Sequence, residues 1–409
     1  MNRNLAGLAA RFGLLAALVT GALVAGAPGR AEAAERTVER VSVTLVNPLV
    51  APRPSETVVV TRAELGKVAP SFDITKALVV DAQGAPVLSQ LVDMDGDEAP
   101  DQLVFQTNLG ARETKTLELR LGQRPPASRA EFKVYGRFVR ERHDDFVWEN
   151  DLVAHRVYGT DLETYKKDPL VSSGVDVWVK RVPKLIANDW YLTGDYHRDL
   201  GEGADFYSVA KSRGCGGLGL WAGGKLAVSR NFTSSRVLAS GPIRLVFELS
   251  YAPWDAGSAR VAEVKRVTLD AGSHFNRFES TFTAKDRNAL SVGVGIAKHP
   301  GNLLKVDVKP AHQTPWMAVW EPLDGGKSGH LGCAVVLSPG SKAETQATDT
   351  DYLLVTPASA GGTAVYYVGT AWDRASGLAD ITGWTKEVQS LANRLAAPVK
   401  TTLAPISGP

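Results

Sequence analysis

Apolar positions recur at every second residue in short runs along most of the chain, and turn residues interrupt the runs at close intervals. Val41 to Val46, Thr57 to Thr61, Ala77 to Val80, Leu103 to Gln106 and Thr116 to Leu121 have strand length and are bounded by Gly, Pro and Asp. Short strands in succession, with no helical pattern between them, predict a sandwich rather than βαβ units. Gln123 to Ser128, with Pro125 and Pro126, reads as a linker. A small N-terminal β region over 34–125 is therefore expected beside a larger region over 130–409. There Phe132 to Arg142 and Val175 to Arg181 read as strands, and Ile243, Leu245, Phe247 and Leu249 give one strongly apolar face. Val261 to Leu269, Phe275 to Phe282, Ser291 to Ala297, Met317 to Trp320, Cys333 to Leu337, Tyr352 to Val355 and Ala364 to Thr370 continue the pattern. The expected class is all-β and antiparallel, and so many strands curl or split into two packed layers. One helix is predicted: Val388, Leu391, Ala392 and Leu395 form a stripe at helical spacing after Trp384, stopped by Pro398. The tail from Thr401 to Pro409 reads as frayed.

The first 33 residues follow a different pattern. Arg3 and Arg11 precede an apolar run from Phe12 to Gly26, and Ala31-Glu32-Ala33 offers a small-x-small cleavage site. That is a secretory leader, so a periplasmic or secreted protein is expected. The run is too short to cross a bilayer, and no later stretch comes closer, so no membrane span is expected in the mature chain. The chain carries 46 basic and 44 acidic residues. Loss of the leader removes three arginines and one glutamate and leaves it neutral, which argues against a nucleic-acid partner. Cys215 and Cys333 are either one long-range disulfide or two buried thiols.

Candidate chemistry concentrates in two stretches. Asn188 to Trp221 carries Trp190, Asp195, Tyr196, His197, Arg198, Asp199, Glu202, Asp205 and Tyr207, followed by glycines 214, 216, 217 and 219. A glycine-rich loop dense in ionisable groups is where a β scaffold carries function. If Val147 to Gly159 is extended throughout, Glu149, Asp151 and His155 share one face, while Trp148, Asn150, Arg156 and Tyr158 share the other. One face then lines a cleft and the other offers sugar-binding groups; salt bridges on a half-exposed strand are the plain alternative.

These groups admit three chemistries. An imidazole or phenolate takes the proton α to a uronate carboxyl group, with Arg156 or Arg198 neutralising the carboxylate and a tyrosine protonating the leaving oxygen. Alternatively, two carboxylates among Glu149, Asp151, Glu202 and Asp205 hydrolyse a glycosidic bond. In the third, His197 ligates a metal with Glu202 or Asp205, at a spacing that matches no recognised motif. A loop held together by its own polar groups is the non-catalytic reading. His299, His312, Trp316, Trp320 and Glu321 form a secondary group suited to a pyranose face or to the core. Asp93, Asp95, Asp97 and Asp101 offer oxygen ligands for calcium, against a solvated acidic hairpin connection. There is no nucleophile elbow, Walker loop or dinucleotide fingerprint.

WENDLVAHRVYG at 148–159, GDYHRDLGEGADFYSVAKSRGCGGLGLW at 194–221, GPIRLVFELSY at 241–251 and AWDRASG at 371–377 resemble the secreted bacterial family called domain of unknown function 4861. The resemblance covers nearly the whole mature chain. It implies a galactose-mutarotase-like β-supersandwich and an association with breakdown of pectin and other uronate-containing glycans. By similarity it carries over Glu149, Asn150, His155, Arg156, Tyr158, Tyr196, His197, Glu202, Asp205 and Tyr207, without fixing their roles. The combined expectation is an enzyme acting on acidic oligosaccharides by β-elimination, with His197 as base, Tyr196 or Tyr207 as acid and Arg156 as carboxylate partner. Hydrolysis or epimerisation, and a non-catalytic glycan binder, are the alternatives.

Overall fold

The computed structural model describes residues 38–285, 289–309 and 314–406; the segment 1–33, expected to be a leader, and His312 lie outside them. The described chain is an all-β supersandwich with a small N-terminal β region and a C-terminal helix. In the N-terminal region a four-stranded sheet orders Lys400–Pro405, Arg40–Val46, Thr114–Leu121 and Ala77–Val80. It packs on a three-stranded sheet of Arg53–Thr61, Gln102–Leu109 and Ser89–Val92. Alternation places Val41, Val43, Leu45, Val58, Val60, Leu103, Phe105 and Leu119 in the core between them. The tail expected to fray is instead an edge strand, with Val41 opposite Pro405 and Val46 opposite Lys400. Its ladder to a central strand supplies the backbone partners that composition does not reveal.

The larger region packs an eight-stranded antiparallel sheet against two five-stranded sheets. Leu245, Phe247 and Leu249 point into the main core, as their spacing predicts. Over the outer face of the eight-stranded sheet lies the helix Ile381–Ala396, capped by Asp380, whose Oδ1 accepts from Gly383 N at 2.8 Å. Trp384, Val388 and Ala392 are its buried face, and Trp384 Nε1 donates to Cys333 O at 3.1 Å. Gly332 makes room, since a Cβ there would stand 2.8 Å from the indole.

The sheet that holds most of the expected site residues orders Gly203–Ala204, Asp176–Lys180, Ala154–Val157, Asp145–Asn150 and Val134–Val139. The segment from 147 to 159 is not continuously extended. Asn150 Oδ1 accepts from Leu152 N and Val153 N, both at 2.8 Å, and folds the chain into a hairpin. The turn resets the alternation, so Trp148 sits opposite His155 and Val147 opposite Arg156. Trp148, Asn150, His155 and Val157 therefore face the main core, while Asp145, Glu149, Arg156, Asp176 and Trp178 face away, beneath the segment from 186 to 205.

Candidate functional site

Arg156 is the hub of that second face. Its side chain is 8% exposed and donates to Asp176 Oδ2 through Nη2 at 2.6 Å and Nε at 3.0 Å. Nη2 also reaches Asp205 Oδ2 at 3.0 Å, and Nη1 lies 3.6 Å from Asp145 Oδ2. Tyr158 donates its hydroxyl to Asp176 Oδ2 at 2.9 Å and Tyr191 to Asp145 Oδ2 at 3.2 Å. The guanidinium stands 5.3 to 5.6 Å from the ring centroids of Tyr158, Trp178 and Tyr196. Burial works against the charge on Arg156, yet Asp176 and Asp205 outweigh it and hold its pKa well above the ordinary value. Burial pushes Asp145 up to about 7, and burial with repulsion from Asp176 pushes Asp205 up as well. Asp145 and Asp205 therefore hold their protons to higher pH than ordinary carboxyl groups do.

At the rim of this cluster His197 is exposed to 65%, with Nδ1 3.5 Å from Asp205 Oδ2. Its ring lies 4.6 Å from that of Tyr196, whose hydroxyl accepts from Arg142 Nε at 2.6 Å and from Arg156 Nη1 at 3.5 Å. Arg142 precedes two non-glycine residues held at positive φ, His143 at 52° and Asp144 at 63°, a strained turn that the surrounding packing must hold in place. Gly159 permits the turn to seat, because a Cβ there would approach Asp144 O to 2.0 Å.

The expected residues are thus divided among several environments. His197, Tyr196, Asp205, Arg156 and Tyr158 come together. His155 does not: it is fully buried on the opposite face, stacked on Trp148 at 5.3 Å. Asn276 Nδ2 donates to its Nε2 at 3.0 Å, and burial pushes its pKa down to about 3. It is a neutral core group, and Trp148, whose Nε1 donates to Asn276 Oδ1 at 2.8 Å, is core as well. Glu149 forms a buried ion pair with Lys180 at 2.9 Å and accepts from Ile186 N and Ala187 N, anchoring the start of the helix Ala187–Thr193. Asn150 is spent on its turn and on Asp270 O and Ser273 O. Glu202 pairs with Lys184 at 2.5 Å and accepts from Trp190 Nε1 at 3.2 Å. Arg198 is exposed and paired with Asp195 at 2.5 Å.

Tyr207 turns into the main core, where burial raises its pKa. Its ring meets that of His299 at 5.2 Å; His299 Nδ1 bonds to buried Glu321, and its Nε2 lies 2.9 Å from Ser208 O. Trp320 is buried against the helix side of the sheet. The glycine run serves close backbone approach rather than a ligand: at Gly214 (φ 58°) a Cβ would stand 2.1 Å from Val175 O. Cys215 and Cys333 are buried free thiols. Oxygens of Asp93, Asp95 and Asp101 gather within 4.8 Å, without Asp97. Asp93 accepts from Asp95 N, Gly96 N and Glu98 N, and Asp101 from Met94 N, so the connection is held by its own amides.

Sequence reasoning missed Asp145, Asp176, Lys180 and Arg142. Asp176, Trp178 and Lys180 alternate with Val177 and Val179 in an otherwise apolar strand, and that alternation was the available signal. Asn276 left none.

Residues 45–401 match the model of a family described as Domain of unknown function (DUF4861). A Formosa agariphila protein described as Uncharacterized protein P7 is 32% identical over 389 residues, spanning 90% of this chain and 95% of that protein. Among solved structures, a protein in the glycosyl hydrolase family 38 from Enterococcus faecalis superposes over 90% of this chain at 11% identity and a TM-score of 0.51. The chain spans about half of that structure's length, 48%, and the likeness is one of fold.

Proposed function

The chain belongs to the DUF4861 family, and we propose that it is a carbohydrate-active enzyme working in the periplasm or outside the cell, which cleaves uronate-containing glycans by β-elimination. The observation that carries the reading is His197, left open to solvent beside a buried carboxylate and against the ring of Tyr196, whose hydroxyl Arg142 holds. Asp205 orients the imidazole, with its carboxylate 3.5 Å and its backbone carbonyl 3.3 Å from Nδ1, as a positioned base requires. Arg156 is consumed by its carboxylates, so the half-buried Arg142 takes the role of neutralising the uronate carboxylate as charge develops on it. Tyr207 is sealed in the core and Tyr196 is held by two guanidiniums. One imidazole therefore serves twice: His197 removes the α proton, the C=C bond forms as the C–O bond breaks, and the imidazolium returns that proton to the leaving oxygen. Tyr196 is a positioning residue. The paired-carboxylate route has less support, because Glu202 is tied to Lys184 and Trp190 while Asp205 is tied to Arg156.

The test is incubation with oligosaccharides of polygalacturonate, rhamnogalacturonan, ulvan and alginate, reading ultraviolet absorbance and reducing ends together. Elimination raises both, and His197→Ala abolishes both with the fold intact. Reducing ends without absorbance would mean hydrolysis, and full activity in His197→Ala would remove the assigned base. Neither signal, with a glycan-dependent rise in Tm, would make the protein a binder.

A further inference from the structure

A concavity on the outer face of the eight-stranded sheet has neither His197 nor any member of the Arg156 cluster in its lining. It is a cleft of about 700 Å³ between the helix Ile381–Ala396 and the start of the strand Arg53–Thr61, within the size range of small-ligand sites. Its floor is in register: Thr268 pairs with Arg277 and Arg277 with Tyr367, so the three side chains stand side by side on neighbouring strands. Arg244 and Asp270 extend the row, joined at 2.6 and 2.7 Å. Among these polar groups the lining also carries Leu152, Phe275, Leu391 and Leu395, and a wall of mixed polar and apolar groups is what small-ligand sites present.

The charges in the cleft decide which ligand suits it. Arg244 is matched by Asp270, Arg53 by Glu56 at 3.0 Å, Arg394 by the same Glu56 at 3.6 Å, and Arg277 by Glu279. Glu387 adds a further carboxylate from the helix. No guanidinium of the lining lacks a carboxylate partner among the described residues, so a polyanion would find no unmatched cation. Glu387 apart, the uncommitted groups named here are neutral. Tyr367 is half-buried and its hydroxyl has no partner among the described residues. His274 Nδ1 donates to Thr370 O at 3.0 Å, and burial lowers its pKa, so its Nε2 remains an acceptor. An aromatic face beside a mixed set of donors and acceptors complements a ring that carries hydroxyls, each of which is donor and acceptor at once.

We infer that this cleft is a second binding site, for a neutral oligosaccharide segment. It holds uncharged sugar rings over Tyr367, and it stands on the cleft's own chemistry rather than on the reaction assigned to His197.

Titration calorimetry of the whole protein with short galactan, xylan, mannan and glucan oligosaccharides, and with oligogalacturonate as the charged arm, tests it. At least one neutral series binds, with little salt dependence. Tyr367→Ala weakens that binding tenfold or more. Ser390→Trp, which fills the cleft from an exposed helical position and leaves the core untouched, does the same, and His197→Ala leaves it unchanged. The inference is overturned if no neutral series binds, if binding survives Ser390→Trp, if His197→Ala removes it, or if oligogalacturonate is the tighter Tyr367-dependent ligand.

Discussion

The two faces of the sheet built around the 145–157 hairpin bury polar groups in opposite ways. Toward the main core, Trp148, His155 and Asn276 form a neutral chain in which each hydrogen bond satisfies a group that burial would otherwise penalise. Toward the 186–205 segment, Arg156 gathers Asp145, Asp176 and Asp205 into a charged cluster. The neutral chain needs only correct geometry, whereas the charged cluster needs every partner, because a buried charge left alone costs several kcal/mol. The charged face reaches solvent through His197, so the proposed chemistry and the fragility share one side of the sheet.

The largest expected effect comes from taking the hub away. Arg156→Met leaves three carboxylates facing one another and should destabilise the fold by about 3–5 kcal/mol in denaturant titrations at pH 7, with part of the loss recovered on acidification. Next is the pH dependence, in which the two faces pull in opposite directions. Asp145 has a folded pKa of about 7, above the ordinary 3.8, so its contribution is complete below about pH 4 and is lost as pH rises through 7. His155 has a folded pKa of about 3, below 6.5, so its contribution is present above about pH 6.5 and is lost as pH falls towards 3. Each slope is limited to about 1.4 kcal/mol per pH unit, and between roughly pH 4 and 6.5 they cancel. Asp145→Asn should therefore expose a stability that climbs with pH across that window, and His155→Gln one that declines; parallel profiles for the two variants would break the contrast. Asn276→Ala strands the Trp148 and His155 nitrogens and should cost about 1–3 kcal/mol. If it costs as much as Arg156→Met, the neutral face is not the cheaper of the two. Smallest is Asp195→Ala, which opens the exposed pair with Arg198 in the same loop and should change stability by less than about 0.5 kcal/mol.

Many strands of both regions and the C-terminal helix were legible because alternation and the Trp384 to Leu395 stripe are local signals, whereas Ser89–Val92, Phe232–Ser240 and Leu303–Asp307 were not. What escaped was long-range. Parity along 147–159 depends on Asn150 turning the chain, and without that turn His155 is assigned to the wrong side. The roles of Asp145 and Asp176 depend on a shared cation. Asn276 acts through partners more than a hundred residues away. The segment around His197 drew notice by its density of ionisable groups, yet density alone could not separate Glu202, which braces Trp190, from Asp205, which lies under the imidazole.

The ladder between Arg40–Val46 and Lys400–Pro405 sets an order of assembly. A ribosome delivers the central strand of the N-terminal layer long before its flanking strand, so that edge stays open while the residues between them are made. Any chain cut short before Lys400 would keep the open edge permanently and offer it to another molecule.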